Sequence, residues 1–244
     1  MTDDVLPPGR SELVKSALYA RWQEPPVSRL TVRQVEMRRL ADSMRIIMER
    51  IVATAAPTEA IIEAANQLAR VALSFDDARH GTVYEGFNEA ANAGADPSAS
   101  FEHSPFIGGA NPLSPPLRLM EVDGVVRARG VFGSAYEGPP GCVHGGYVAG
   151  AFDEVLGAAQ TLSGAPGMTG TLTVRYRSPT PLHTELSFTG ELVGVERRKI
   201  FTKGTLHAGD RLCAEAEGIF ISIDPSVFRI LMDARNEAEQ QRLS

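Results

Sequence analysis

A chain of 244 residues with 43% hydrophobic and 22% charged side chains has room for one ordinary soluble domain plus an extension. Its 30 acidic residues outnumber 24 basic ones, for a formal charge of −6, which argues against nucleic acid or an anionic membrane as partner. Two cysteines, Cys142 and Cys213, make no disulfide framework and fit a reducing compartment. Met1 to Arg10 lacks the basic and apolar regions of a signal peptide, and no apolar run is long enough to span a membrane. The expectation is a cytoplasmic protein.

The chain divides near residue 100. A short helix is predicted between Ser11 and Trp22. Thr31 and Gln34 form a capping box, in which hydroxyl and amide satisfy exposed N–H groups reciprocally. After it Val32, Val35, Leu40, Met44, Ile47, Met48 and Ile51 recur at helical spacing, with Arg33, Arg38, Arg39 and Arg45 between them. Pro57 interrupts, and a second helix is predicted from Thr58 through Ile61, Ala65, Leu68 and Leu73. Asp76 to Pro116 is rich in Gly, Ala, Asn, Ser and Pro and reads as loop, its last part (His103 to Leu117) draped over the following domain. The expected divisions are therefore a helical extension and loop over 1–100, a domain over 101–224 and a helical tail over 225–244.

Leu117 to Phe132 reads as a hairpin turning at Asp123-Gly124. A helix is predicted from His144 to about Leu162. Strands are predicted over Thr171 to Tyr176, Leu186 to Val193, Lys199 to His207 and Leu212 to Ile223, the last two joined at Ala208-Gly209-Asp210. One helix among five or six antiparallel strands makes the class α+β.

The predicted helix, HGGYVAGAFDEVLGAAQTL, is apolar on nearly every side and reads as interior. A carboxylate buried there costs several kcal/mol by order of magnitude unless it is paired, so Asp153 and Glu154 call for a reason. Gly146, Gly150, Asp153 and Gly157 form one stripe, although each glycine weakens a helix by about 1 kcal/mol relative to Ala. Close packing explains the glycines; it does not explain the acid among them. Glu154 stands about 100° away from the stripe, which favours Asp153 as the working group. At the helix start, free amides and the dipole make an oxyanion site, which Gly145 and Gly146 leave unobstructed. Eight residues separate Gly145 from Asp153, about 12 Å along the axis. One reacting carbon cannot touch both, so the Asp of one subunit is expected to face the Gly amides of another across a twofold axis.

These residues resemble the hotdog-fold thioesterase superfamily, in particular its PaaI-like and THEM-type acyl-CoA thioesterases. Val143-His-Gly-Gly146 followed by Asp153 resembles the family's HGG…D signature. Met168 to Pro179 resembles the strand after its long helix, and Val195 to Ile200 one of its turns. The similarity covers roughly Leu117 to Asp224. It implies an antiparallel sheet wrapped around a central helix and sites at a homodimer interface, dimers pairing further in some members. It also implies hydrolysis of an acyl-CoA thioester. Asp153 would be general base or nucleophile, the Gly145 or Gly146 amide the carbonyl polariser, and His144 a shaper of the oxyanion site. Thr169 matches a position that assists the carboxylate. Strict alternation, however, sets Thr169 on the face of Thr171 and Thr173, opposite Leu172 and Val174, unless a bulge intervenes.

Coenzyme A enters as part of the substrate, with no separate cofactor, and its phosphates call for basic residues at the site mouth. Arg197, Arg198 and Lys199 are the first candidates, Arg198 and Lys199 favoured by the resemblance, with Arg175 and Arg177 next. Cys142 beside His144 makes a poor nucleophile pair because no Asp orients it. The remaining histidines have no metal-ligand spacing, so no metal is expected. Two other roles stay open: an acyl-CoA-sensing module without turnover, and an acyl-thioester hydratase, which would use a His–Asp pair.

Overall fold

The computed structural model describes residues 30–76, 102, 104–165 and 167–223. The helix expected between Ser11 and Trp22, the tail over 225–244 and most of the long loop lie outside them. Thr31 caps helix α1 (Val32–Val52) through the expected box. Its hydroxyl accepts from the Gln34 amide at 3.2 Å, while Gln34 Oε1 accepts from the Thr31 amide at 2.9 Å. Helix α2 (Thr58–Leu73) follows Pro57.

Six strands follow: β1 (Arg118–Val122), β2 (Val125–Val131), β3 (Gly167–Tyr176), β4 (Glu185–Glu196), β5 (Lys199–Ala208) and β6 (Arg211–Ser222). They form one antiparallel sheet in the order β1-β2-β4-β5-β6-β3, so β3 is an edge strand. The β1–β2 turn takes positive φ at both Asp123 and Gly124, as the Asp-Gly pair predicts. Helix α3 (Gly145–Gln160) packs on one face of the sheet and is continued by one 3-10 turn, Thr161–Ser163. Val148, Phe152, Val155 and Leu156 fill the core with Phe188, Ile200, Leu206 and Phe220 of the sheet. At Gly190 of β4 the helix comes so close that a Cβ would lie 2.9 Å from Val155 Cγ1 and 3.0 Å from its carbonyl oxygen. Glycine there lets helix and sheet meet.

The segment 104–117 does lie over this domain. It is held from outside by α1, and the contacts are polar. Arg38 pairs with buried Glu102 through two nitrogens, and Arg45 donates to the carbonyls of Asn111 (2.7 Å) and Gly109 (2.9 Å). Ala41 is the one buried residue of α1, and none in α2 is buried.

Beneath the segment, Tyr136 donates to the Leu113 carbonyl at 2.9 Å and packs edge-on against Tyr147 and Phe132. Burial pushes its hydroxyl up to about 12, with Arg45 opposing. Because the folded value is raised, the stabilisation is full below pH 10, the ordinary tyrosine value, and is lost as pH climbs towards 12. Unfolding free energy measured across that window should fall more steeply for the parent protein than for Tyr136→Phe. Parallel curves would show that burial does not hold the proton.

Candidate active site

Helix α3 buries eight of its sixteen residues, all on the side facing the sheet. Its other side is only partly covered by the described residues: Phe106 lies over Gly150, while Asp153 and Gly146 are exposed. The expectation of an interior carboxylate is therefore corrected: Asp153 is not buried by its own subunit. The reason is compositional. Gly and Ala make the helix look apolar all round, although on one side they only leave room.

Asp153 has a specific partner. Thr169 Oγ1 donates to its Oδ1 at 2.7 Å. This contact exists because β3 bulges: the register with β6 shifts between Thr169 and Thr171. Thr169 pairs with Phe220, and Phe220 pairs with Ile200. Phe220 and Ile200 are both buried against the helix, so their row faces inward and carries Thr169 with it. Beyond Gly170 the inward face passes to Leu172 and Val174. Strict alternation fails at this one step, and Gly170 is the signal for it.

At the start of α3, His144 is the N-cap. Its Nδ1 accepts from the Gly146 amide at 3.0 Å, which places the ring proton on Nε2. This narrows the pair of candidate amides. Gly146 N–H is occupied, whereas Gly145 N–H has no acceptor among the described residues. Tyr176, at the far end of β3, donates to the Gly145 carbonyl at 2.7 Å and ties strand to helix. Tyr176 was legible in the sequence as the end of the strand predicted from Thr171.

The glycine stripe has mixed causes. At Gly150 a Cβ would run into the ring of Phe106, so this glycine makes room for the 104–117 segment and not for the acid. Gly157 meets only Phe220, at ordinary distance.

The basic candidates separate. Arg175 and Arg177 alternate with inward-facing Tyr176 and so point away from the helix, paired to Glu217 at 2.8 Å and Glu215 at 2.6 Å. Donating to the Glu217 carboxylate holds the Arg175 proton more firmly still. Arg198 lies in the β4–β5 turn, where Nε and an Nη both donate to the Ser222 carbonyl at 3.2 Å, and Lys199 begins β5. Lys199 pairs with Ile221, which pairs with Met168, the neighbour of Thr169. Two strand spacings, about 10 Å, separate this turn from the Asp153 end of β3. Arg175 lies at the other end. Among the described residues no group of three His, Cys, Asp or Glu side chains is placed to hold a metal, and no helix is long and apolar enough to cross a membrane.

Residues 140–215, from the loop before α3 into β6, match the family model of the thioesterase superfamily. The crystal structure of a thioesterase superfamily protein superposes with a TM-score of 0.68 and 32% identity, covering 76% of this chain and 90% of that one. Acyl-coenzyme A thioesterase THEM4 of Xenopus laevis is 36% identical over 95 residues, which is 38% of this chain and 43% of that protein. Acyl-coenzyme A thioesterase THEM5 of Homo sapiens is 30% identical over 93 residues, 37% and 38% of the two chains. The match spans about two fifths of the length of these curated relatives. The chain belongs to the thioesterase superfamily, and its sheet wrapped on a long helix is the hotdog fold.

Proposed function

We propose that this protein hydrolyses an acyl-CoA thioester to the free acid and coenzyme A. One observation carries the reading: a carboxylate oriented by Thr169 on the open face of α3. The named activity of the curated relatives supports the substrate class. In one route Asp153 takes a proton from water as the water oxygen bonds to the carbonyl carbon; in the other Asp153 attacks that carbon, the thiolate leaves to give a mixed anhydride, and water then hydrolyses the anhydride to the free acid and restores the Asp153 carboxylate. In both, negative charge gathers on the carbonyl oxygen, which the Gly145 amide and the helix dipole stabilise, with His144 holding the helix start. The carbon–sulfur bond then breaks. The thiolate leaves without a strong general acid.

Gly145 and Asp153 are too far apart on one helix to meet one thioester, so the site is completed by a second copy. Homodimer formation is supported by the exposure of Asp153 and Gly146 on α3, and, among the described residues, by the edge position of β3 and the exposure of Ile61 and Ile62 on α2. Arg198 and Lys199 are the groups for the coenzyme A phosphates, supported by their place near the Asp153 end, Arg198 in the turn and Lys199 reaching round the end of the sheet from the face opposite inward-facing Ile200. The two free thiols support a cytoplasmic location.

The test is to mix the full chain with acyl-CoAs of several lengths and a thiol reagent. Thiol release is expected. Binding without release would make the protein an acyl-CoA sensor, and hydration of an enoyl-CoA without release would make it a hydratase. Thr169→Val, which keeps shape and removes the hydroxyl, is expected to lower kcat by roughly ten- to hundredfold, the usual worth of a hydrogen bond to a charged group. An unchanged kcat would remove Thr169 from the machinery.

A further inference from the structure

We propose that Phe106 is a specificity-determining residue: its ring walls the groove over the open face of α3 and limits the acyl group admitted beside Asp153. The inference rests on the thioesterase reading and deepens it. Gly150 stands one turn after Gly146 and three residues before Asp153, between the helix start and the acid. The ring lies directly on its backbone, and a Cβ at Gly150 would sit 2.8 Å from Phe106 Cε2 and 3.0 Å from Cε1, with Cζ nearer still. Gly150 lies about 60° round the helix from Asp153. Thr169 approaches the acid from β3, and Phe106 comes from the 104–117 segment. Strand and segment thus reach the helix on either side of the acid, Thr169 on Asp153 itself and Phe106 on Gly150.

The ring is held there by a built device. Phe106 and Ile107 amides both donate to Ser104 Oγ at 3.2 Å, and the Phe106 carbonyl accepts from the Leu117 amide at 2.9 Å. The Ala110 amide closes the loop on the Glu102 carbonyl at 2.9 Å. Glu102 is itself only 6% exposed and is gripped by Arg38 from α1. A buried carboxylate with a bidentate guanidinium fixes geometry at a cost in desolvation, and simple space-filling needs no such arrangement. Phe106 meets Tyr147 edge-on at 6.5 Å and stays half-buried, so it is not wholly taken up by the core. A rigid aromatic wall beside the reacting carbon sets a length limit: short acyl chains fit beside it and long ones run into it.

The experiment measures kcat/KM of the full chain for straight-chain acyl-CoAs from two to sixteen carbons. Phe106→Ala is expected to raise the ratio of long-chain to short-chain kcat/KM by about tenfold or more, since a single methylene in a pocket shifts specificity by that order. Phe106→Trp is expected to move the ratio the other way. Should the alanine variant fail to fold, Phe106→Leu and Phe106→Trp carry the comparison. A ratio unchanged or lowered by the smaller side chain overturns the role of Phe106 and leaves the thioesterase reading intact. Absence of thiol release from every acyl-CoA by the parent protein overturns both.

Discussion

Asp153→Asn is expected to lower kcat for acyl-CoA hydrolysis by about a hundred- to ten-thousandfold while leaving the melting temperature within about a degree or two. The two halves of this expectation have different sources. Asparagine keeps an oxygen that can accept from Thr169, so the local hydrogen bond survives. It can neither take a proton from water nor form an anhydride, and general-base assistance is worth about 10²–10⁴ in rate. The stability half follows from exposure. Asp153 stands on the partly covered side of α3, and exposed substitutions without a buried partner change stability by about 0.5 kcal/mol or less. Circular dichroism melting and thiol release on one preparation check both. Retention of more than a tenth of the parent kcat would discard Asp153 as base or nucleophile, and Glu154, about 100° round the helix, would then inherit the assignment.

The same residue marks where sequence reading reaches its limit. What is local was legible. The Thr31–Gln34 box, the break at Pro57 and the Asp123-Gly124 turn depend on neighbours a few residues apart, and each is where its signal puts it, whereas β3 begins four residues before the predicted Thr171 and β4 ends three residues after the predicted Val193. The HGG…D pattern located the helix start and the acid for the same reason. The face that α3 leaves partly uncovered was not legible, because glycine and alanine look alike whether they touch a sheet or open space. Nor was the side of β3 on which Thr169 falls, since a bulge at Gly170 inverts the alternation and glycine signals such a bulge without fixing it. Contacts across long separations left no pattern at all. Phe106 meets Gly150, and Arg38 meets Glu102 sixty-four residues away through charge, where the helical periodicity of α1 suggested apolar packing. The occupied amide of Gly146 turns on one side-chain rotamer of His144.

The site is only as well placed as the helix that carries it, and Phe152→Ala measures how firmly α3 is seated. Phe152 is adjacent to Asp153 but lies about 100° from it round the helix, on the sheet side; it is fully buried and meets Phe188 edge-on at 5.4 Å. Truncation removes the transfer free energy of the ring and leaves a cavity between helix and sheet, together about 3–5 kcal/mol, to which the lost aromatic pair adds about 0.5–1.5 kcal/mol. A domain with total stability of about 5–15 kcal/mol would lose a large share of it. Collapse cannot close the gap: Val155 already touches the sheet where Gly190 admits it, so the helix has no closer seat to move to. Urea unfolding should therefore show a sharply lower midpoint for Phe152→Ala with the slope preserved, and Phe152→Leu should recover much of the loss because it refills most of the volume. A shift of less than about 1 kcal/mol for the alanine variant would mean that contacts elsewhere, such as the tie from Tyr176 to Gly145, fix the helix. Thr169 would then be aligned with Asp153 by the edge strand and not by the core.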